Sequence, residues 1–305
     1  MNLRSVCVIL GLVSALVLGG CGASQKSFDT PEAAVAALDD AVREQDDTRL
    51  REVLGPRVSE LKSGDPVQDR ADFVAFASRM AQSTRVESVD GKSVLLVGDE
   101  QWEFPAPIIR TQSGWQFDTD AGIEELTTRR IGANELAIID ACFAFIDAEI
   151  AYGTVSRDGS GTNQYTTKMW STPGSKDGLY WESQSDEPDS PIGPAMAAAE
   201  WNSGRDCYPF YGYFFRPLLK QGPSAVGGAM DYVEDGKLVK GVAGVAFPAE
   251  YGTSGIMTFI FSMDGRVYQK DLGPQTSSIA RSMDTFDPGE GWTSVAEVMA
   301  VEGGE

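Results

Sequence analysis

Apolar and polar residues alternate in two distinct rhythms along the chain, and the change between them marks out its parts. Val35, Leu38 and Val42 recur at helical spacing after Thr30-Pro31-Glu32, where Thr30 is placed to cap a helix and Pro31 to occupy its first position. Asp46-Asp47 interrupts this run, Leu50, Val53 and Leu54 resume it as far as Gly55-Pro56, and Phe73, Phe76 or Ala77, and Met80 mark a third helix. From Thr84 the period falls to two. Val86 and Val89 precede an Asp90-Gly91 turn, Val94 and Leu96 follow it, and a second turn at Ser113-Gly114 leads to Trp115 and Phe117 on one face. Helices followed by an antiparallel meander predict an α+β layer.

The most apolar stretch of the mature chain is NELAIIDACFAFIDAEIAY, residues 134–152, interrupted in its middle only by Asp140, Asp147 and Glu149. A helix this apolar must be covered on several sides. It reads as a spine, preceded by a connecting helix over 120–130 and by Gly132. Residues 153–209 are rich in Gly, Ser, Asp and Pro and predict ordered turns. Strands then follow over 212–219, 238–247, 256–262 and 266–270, with Asp235-Gly236 and Asp264-Gly265 as hairpin turns. These form an antiparallel sheet packed on the spine. The predicted organisation is a signal over 1–20, a lipidated tether over 21–28, an α+β domain over 29–130, a helix-plus-sheet domain over 131–295, and a flexible tail over 296–305.

Composition narrows the function. The chain has 305 residues, 42% apolar and 23% charged, enough for a substantial core. Its 45 acidic and 25 basic residues give a net charge of −20, which repels nucleic acid. Histidine is absent, and with it go Ser-His-Asp and Cys-His nucleophile systems and His-ligated zinc. Residues 1–21 carry one basic residue, Arg4, then an apolar run from Val6 to Leu18 that is shorter than the roughly 20 residues of a spanning helix. This is an export signal.

Leu18-Gly19-Gly20-Cys21 resembles the bacterial lipobox, which implies lipidation of Cys21 and attachment to a membrane through the N-terminal lipid. Gly22, with no acidic residue after Cys21, points toward the outer membrane in a cell that has one. Cys142 and Cys207 then remain. They either pair in the oxidising envelope, a loop closure contributing about 4 kcal/mol, or Cys142 serves as a buried apolar residue.

Ser171-Thr172-Pro173-Gly174, Asp177-Gly178-Leu179-Tyr180-Trp181, Gly212-Tyr213-Phe214-Phe215-Arg216, Ala249-Glu250-Tyr251-Gly252, Ser254-Gly255-Ile256-Met257-Thr258-Phe259 and Val267-Tyr268-Gln269-Lys270-Asp271-Leu272-Gly273-Pro274 resemble blocks of the exported bacterial proteins grouped as domain of unknown function 2950. The resemblance implies one unit of descent over nearly the whole mature chain and brings no activity with it. The order of elements in the N-terminal half is similar to cystatin-like and nuclear-transport-factor-like (NTF2-like) domains. Residues 134–273 are loosely similar to the globular regions of type IV pilins, which suggests a fold only.

Candidate chemistry is sparse. Residues 156–161 with Gln164 resemble a calcium loop, but Asp158 is its one carboxylate among positions 156, 158 and 160, so a Gly-rich turn is the better reading. Glu250 with Asp231 or Asp271 could act as a general acid and base, yet no spacing makes them converge. No catalytic, cofactor-binding or metal-ligating residue is assigned. In the aromatic cluster around 208–215, Tyr208 and Tyr211 precede the strand and are the candidate partner surface. The expectation is a non-catalytic binding or scaffold module of the cell envelope with an envelope protein as partner. The alternatives are a carboxylate hydrolase independent of histidine and an accessory protein of pilus or secretion assembly.

Overall fold

A computed structural model describes residues 25–62, 66–89, 91–157, 161–183, 189–201 and 206–296. The signal, Cys21 and its lipobox, Asp90, Asp158 and the tail beyond 296 lie outside these residues. The chain is α+β, and it divides into two compact units at Leu126 and Thr127.

In the first unit, α1 (Pro31–Glu44) buries Ala34, Val35, Leu38, Ala41 and Val42 along one stripe, and the Thr30 hydroxyl accepts the Ala33 N–H at 3.1 Å. Gln45 adopts a left-handed conformation that ends α1. Asp46 then caps α2 (Asp47–Leu54) by accepting the N–H groups of Thr48 and Arg49 at 2.9 and 3.1 Å. α3 (Pro66–Gln82) follows. The sheet contains β1 (Thr84–Val89), β2 (Lys92–Val97), β3 (Trp102–Glu103), β4 (Ile108–Thr111) and β5 (Gly114–Phe117), in the antiparallel order β1-β2-β4-β5 with β3 also paired to β2.

Two strand details differ from the alternating pattern. Val89 is 50% exposed because β1 is an edge strand, whereas Val94, Leu95 and Val97 are all buried because β2 is central. Beside β5, Phe28 exchanges two backbone hydrogen bonds with Trp115, at 2.9 and 2.7 Å. Gly114 has φ of 132°, and a Cβ there would meet the Phe28 carbonyl oxygen, so the close approach requires glycine.

α4 runs without a break from Thr119 to Gly153. The connecting helix and the spine are therefore one element. Gly132 does not interrupt it, since an interior glycine costs only about 1 kcal/mol against alanine and the flanking residues bury Ile131, Ile138 and Ile139.

In the second unit, α5 (Pro194–Ala197) leads to β6 (Tyr213–Leu218), β7 (Lys220–Gln221), β8 (Met230–Asp231), β9 (Val233–Glu234), β10 (Lys237–Leu238), β11 (Ala243–Pro248), β12 (Met257–Ser262) and β13 (Val267–Asp271). They are followed by α6 (Thr276–Ser282), β14 (Thr285–Phe286) and β15 (Thr293–Ser294). The main sheet is antiparallel in the order β15-β13-β12-β11-β6. β11 is buried along its length, and Phe145 of α4 meets Phe261 of β12 edge-on at 5.3 Å. The strand expected over 238–247 divides into β10 and β11 because the N–H groups of Val239 and Lys240 both turn to the Tyr232 carbonyl. Asp235 and Gly236 both have positive φ, as the tight β9–β10 hairpin requires.

Candidate ligand-binding site and the buried carboxylates

The first unit holds a cavity of about 680 Å³, within the range of small-molecule sites. Its origin is local. Met80 near the end of α3 is buried, whereas Phe73 and Phe76, in its middle, pack against the core while staying only half-buried. Leu38, Val42, Leu54, Phe73, Phe76, Trp102 and Phe104 are among the residues that line the cavity. Phe76 stacks on Phe104 at 5.2 Å and meets Trp102 edge-on at 6.2 Å. Charge sits around this apolar wall on Asp47, Lys62, Asp69, Arg70, Asp72 and Arg79. The Arg70 guanidinium donates to Gln45 at 3.1 Å, and that of Arg79 lies 5.7 Å from the Trp102 ring. Chemically the site offers aromatic and aliphatic contact with ion pairing at its margin.

The second unit uses carboxylates differently. Glu149 of α4 is fully buried; one oxygen accepts the Thr166 N–H at 3.1 Å, and the other has no partner among the described residues. Burial pushes its pKa up to about 8 against the single hydrogen bond from Thr166. Glu200 is buried too. It accepts the N–H groups of Met169 and Trp170 at 3.0 and 3.4 Å, and burial raises its pKa despite those bonds. Glu135 accepts the N–H groups of Ile256 and Met257 at 2.8 and 2.9 Å. These glutamates supply acceptors to the backbone N–H groups of Thr166, Met169, Trp170, Ile256 and Met257. Burial works to raise the Asp177 carboxyl, but Lys168 at 2.5 Å, the Thr172 N–H and the hydroxyls of Ser175 and Thr172 hold it well below the usual carboxylate range.

The residues singled out from the sequence fall as follows. Tyr208 and Tyr211 are 66% and 55% exposed, with Tyr211 edge-on to Phe210 at 4.7 Å. Cys142 is fully buried, Cys207 is half-buried, and both are free thiols in this structure. Asp271, the last residue of β13, accepts the Tyr251 hydroxyl at 3.1 Å and the Gly273 N–H at 2.7 Å, and the Glu250 N–H donates to the Ser254 hydroxyl at 3.0 Å, so the first braces the end of its strand and the second belongs to a turn. Among the described residues no group of three or more Cys, Asp or Glu side chains is placed to hold a metal ion, and no helix is long and apolar enough to cross a membrane. The cavity and the buried glutamates were not singled out. The glutamate signal was available for Glu149, which shares the helical stripe of Ile138, Cys142, Phe145 and Tyr152.

Taken together these features define an α+β protein of two units, one with an apolar cavity and one braced internally by glutamates. The chain belongs to the family described as Protein of unknown function (DUF2950), whose model matches residues 25–295. Comparison with curated proteins gives no match, and comparison with solved structures gives none. The likeness of residues 134–273 to pilin globular regions accordingly finds no support.

Proposed function

We propose that this protein is an exported, lipid-anchored binding module of the cell envelope, and that the cavity of its first unit takes an apolar ligand. The observation that carries the reading is the wall of Leu38, Val42, Leu54, Phe73, Phe76, Trp102 and Phe104 around about 680 Å³. Phe73, Phe76 and Trp102, left half-covered at a concave site, favour an apolar occupant, since filling it removes their remaining surface from water. Anchoring through Cys21 would hold the site at a membrane surface, where acyl chains are abundant. Binding rather than catalysis is the reading because Glu149, Glu200 and Glu135 are engaged by backbone N–H groups, and the lining of the cavity is mostly aliphatic and aromatic.

The test is titration with the dye N-phenyl-1-naphthylamine, which brightens in apolar surroundings, followed by displacement with fatty acids of increasing chain length. Saturable brightening reversed by fatty acid is expected, and Phe76→Glu and Phe73→Glu should each abolish it while circular dichroism stays unchanged. Dye binding that both variants retain would overturn the assignment.

A further inference from the structure

The outward face of α4 carries a second pattern. Leu136, Phe143 and Ile150 are 59%, 41% and 45% exposed and lie seven residues apart. Seven residues are two helical turns, about 10.5 Å, so these side chains form one straight row roughly 21 Å long. Asp147 and Asp140 lie about 40° and 60° around the axis from Phe143 and the exposed Ala151 and Ala144 about 80° and 100°, so the exposed acids border the apolar row and the alanines lie beyond them. Single exposed apolar residues are ordinary on a protein surface. Three large ones in register, bordered along one side by a row of acids, make a seat for a helix. Neither Asp140 nor Asp147 has an ion pair or hydrogen bond to a described side chain outside the helix.

We propose that this face docks an amphipathic helix of a partner protein, with apolar residues at seven-residue spacing and Lys or Arg placed to meet Asp140 and Asp147. Charge selects the partner. A second copy of this chain would bring the same acidic row and a net charge of −20, whereas a basic helix is attracted by both. The seat is independent of the cavity and stands or falls apart from it.

The experiment uses the detergent-solubilised full chain and two labelled three-heptad helical peptides, identical in their apolar positions and carrying either Lys or Glu at the flanking ones, read by fluorescence anisotropy. The Lys peptide should bind and the Glu peptide should bind at least about tenfold more weakly. Phe143→Ser should weaken the Lys peptide about tenfold or more, and Asp140→Lys with Asp147→Lys should reverse the preference. The reversal separates the seat from general attraction to an acidic protein. A preference unchanged by the double substitution, or an affinity unchanged by Phe143→Ser, would overturn the proposal. So would sedimentation showing a self-associated species that Phe143→Ser converts to monomer, since the face would then be covered by a second copy.

Discussion

Replacing Glu149 by Gln tests whether the second unit is held by a buried carboxyl in its neutral form. The side chain is fully buried on α4, accepts the Thr166 N–H, and has its pKa raised from 4.5 to about 8. An acid whose folded pKa is raised contributes its full stability below the unfolded value and loses it as pH rises toward the folded value. The loss is about 1.4 kcal/mol per pH unit, and on the order of 5 kcal/mol across the window from 4.5 to about 8. A glutamine side chain at this position keeps the acceptor for Thr166 and cannot ionise. Urea unfolding would be followed by tryptophan fluorescence in a Trp102→Phe, Trp115→Phe background, which leaves the four tryptophans of the second unit, Trp170, Trp181, Trp201 and Trp292. At pH 5 the substitution should change stability by about 1 kcal/mol or less. By pH 8.5 Glu149→Gln should be the more stable by several kcal/mol. A difference between the two proteins that is the same at pH 5 and pH 8.5 would refute the reasoning.

Three further outcomes are expected. A Cβ at Gly255 would collide with the Tyr213 hydroxyl, which donates to the Met257 carbonyl at 3.0 Å; Gly255→Ala should therefore lower the stability of the second unit by about 2–3 kcal/mol, read by the same urea assay. Thr30→Ala removes the cap of α1 and should cost the first unit about 1 kcal/mol, measured as a lower urea midpoint at unchanged slope. Cys21→Ser should move the protein from the membrane fraction to the soluble one on cell fractionation, and unchanged membrane retention would remove the anchor from the proposed function.

What the sequence made legible was whatever is decided within a few residues. Thr30 and Pro31 placed the start of α1, and Asp235-Gly236 placed a hairpin, because caps and tight turns are set by local backbone chemistry. The cavity was illegible for the opposite reason: Phe73 and Phe76 keep helical spacing, and nothing in that spacing says that they stay only half-covered at the wall of a cavity. The expectation of ordered turns over 153–209 carried nothing about what would order them. The N–H groups of Thr166, Met169 and Trp170 find the side chains of Glu149 and Glu200, at separations of 17 and about 30 residues. Sequence pattern registers strand pairing through alternation, and it has no comparable signature for a backbone N–H answered by a carboxylate.

The acids of α4 show how helical phase turns one residue type to opposite uses. Asp147 and Glu149 are two positions apart, hence about 200° around the axis, and one is exposed while the other is fully buried. On the inner side, with Ile138, Cys142 and Phe145, an ionised carboxylate would be costly to bury, so the neutral form with a backbone donor is the stable arrangement. On the outer side Asp140 and Asp147 stay exposed to water, and they sit beside a row of exposed apolar residues that water solvates poorly. Burial on one side thus ties irregular chain to the helix, and exposure on the other leaves charge available to choose among partners. A helix carrying acids only outside would have to find strand pairing for residues 166–170, and one carrying them only inside would present Leu136, Phe143 and Ile150 to any apolar surface without discrimination. The seven-residue register of the outer row and the inner stripe of Glu149 are therefore two requirements met by one element, separated only by rotation about its axis.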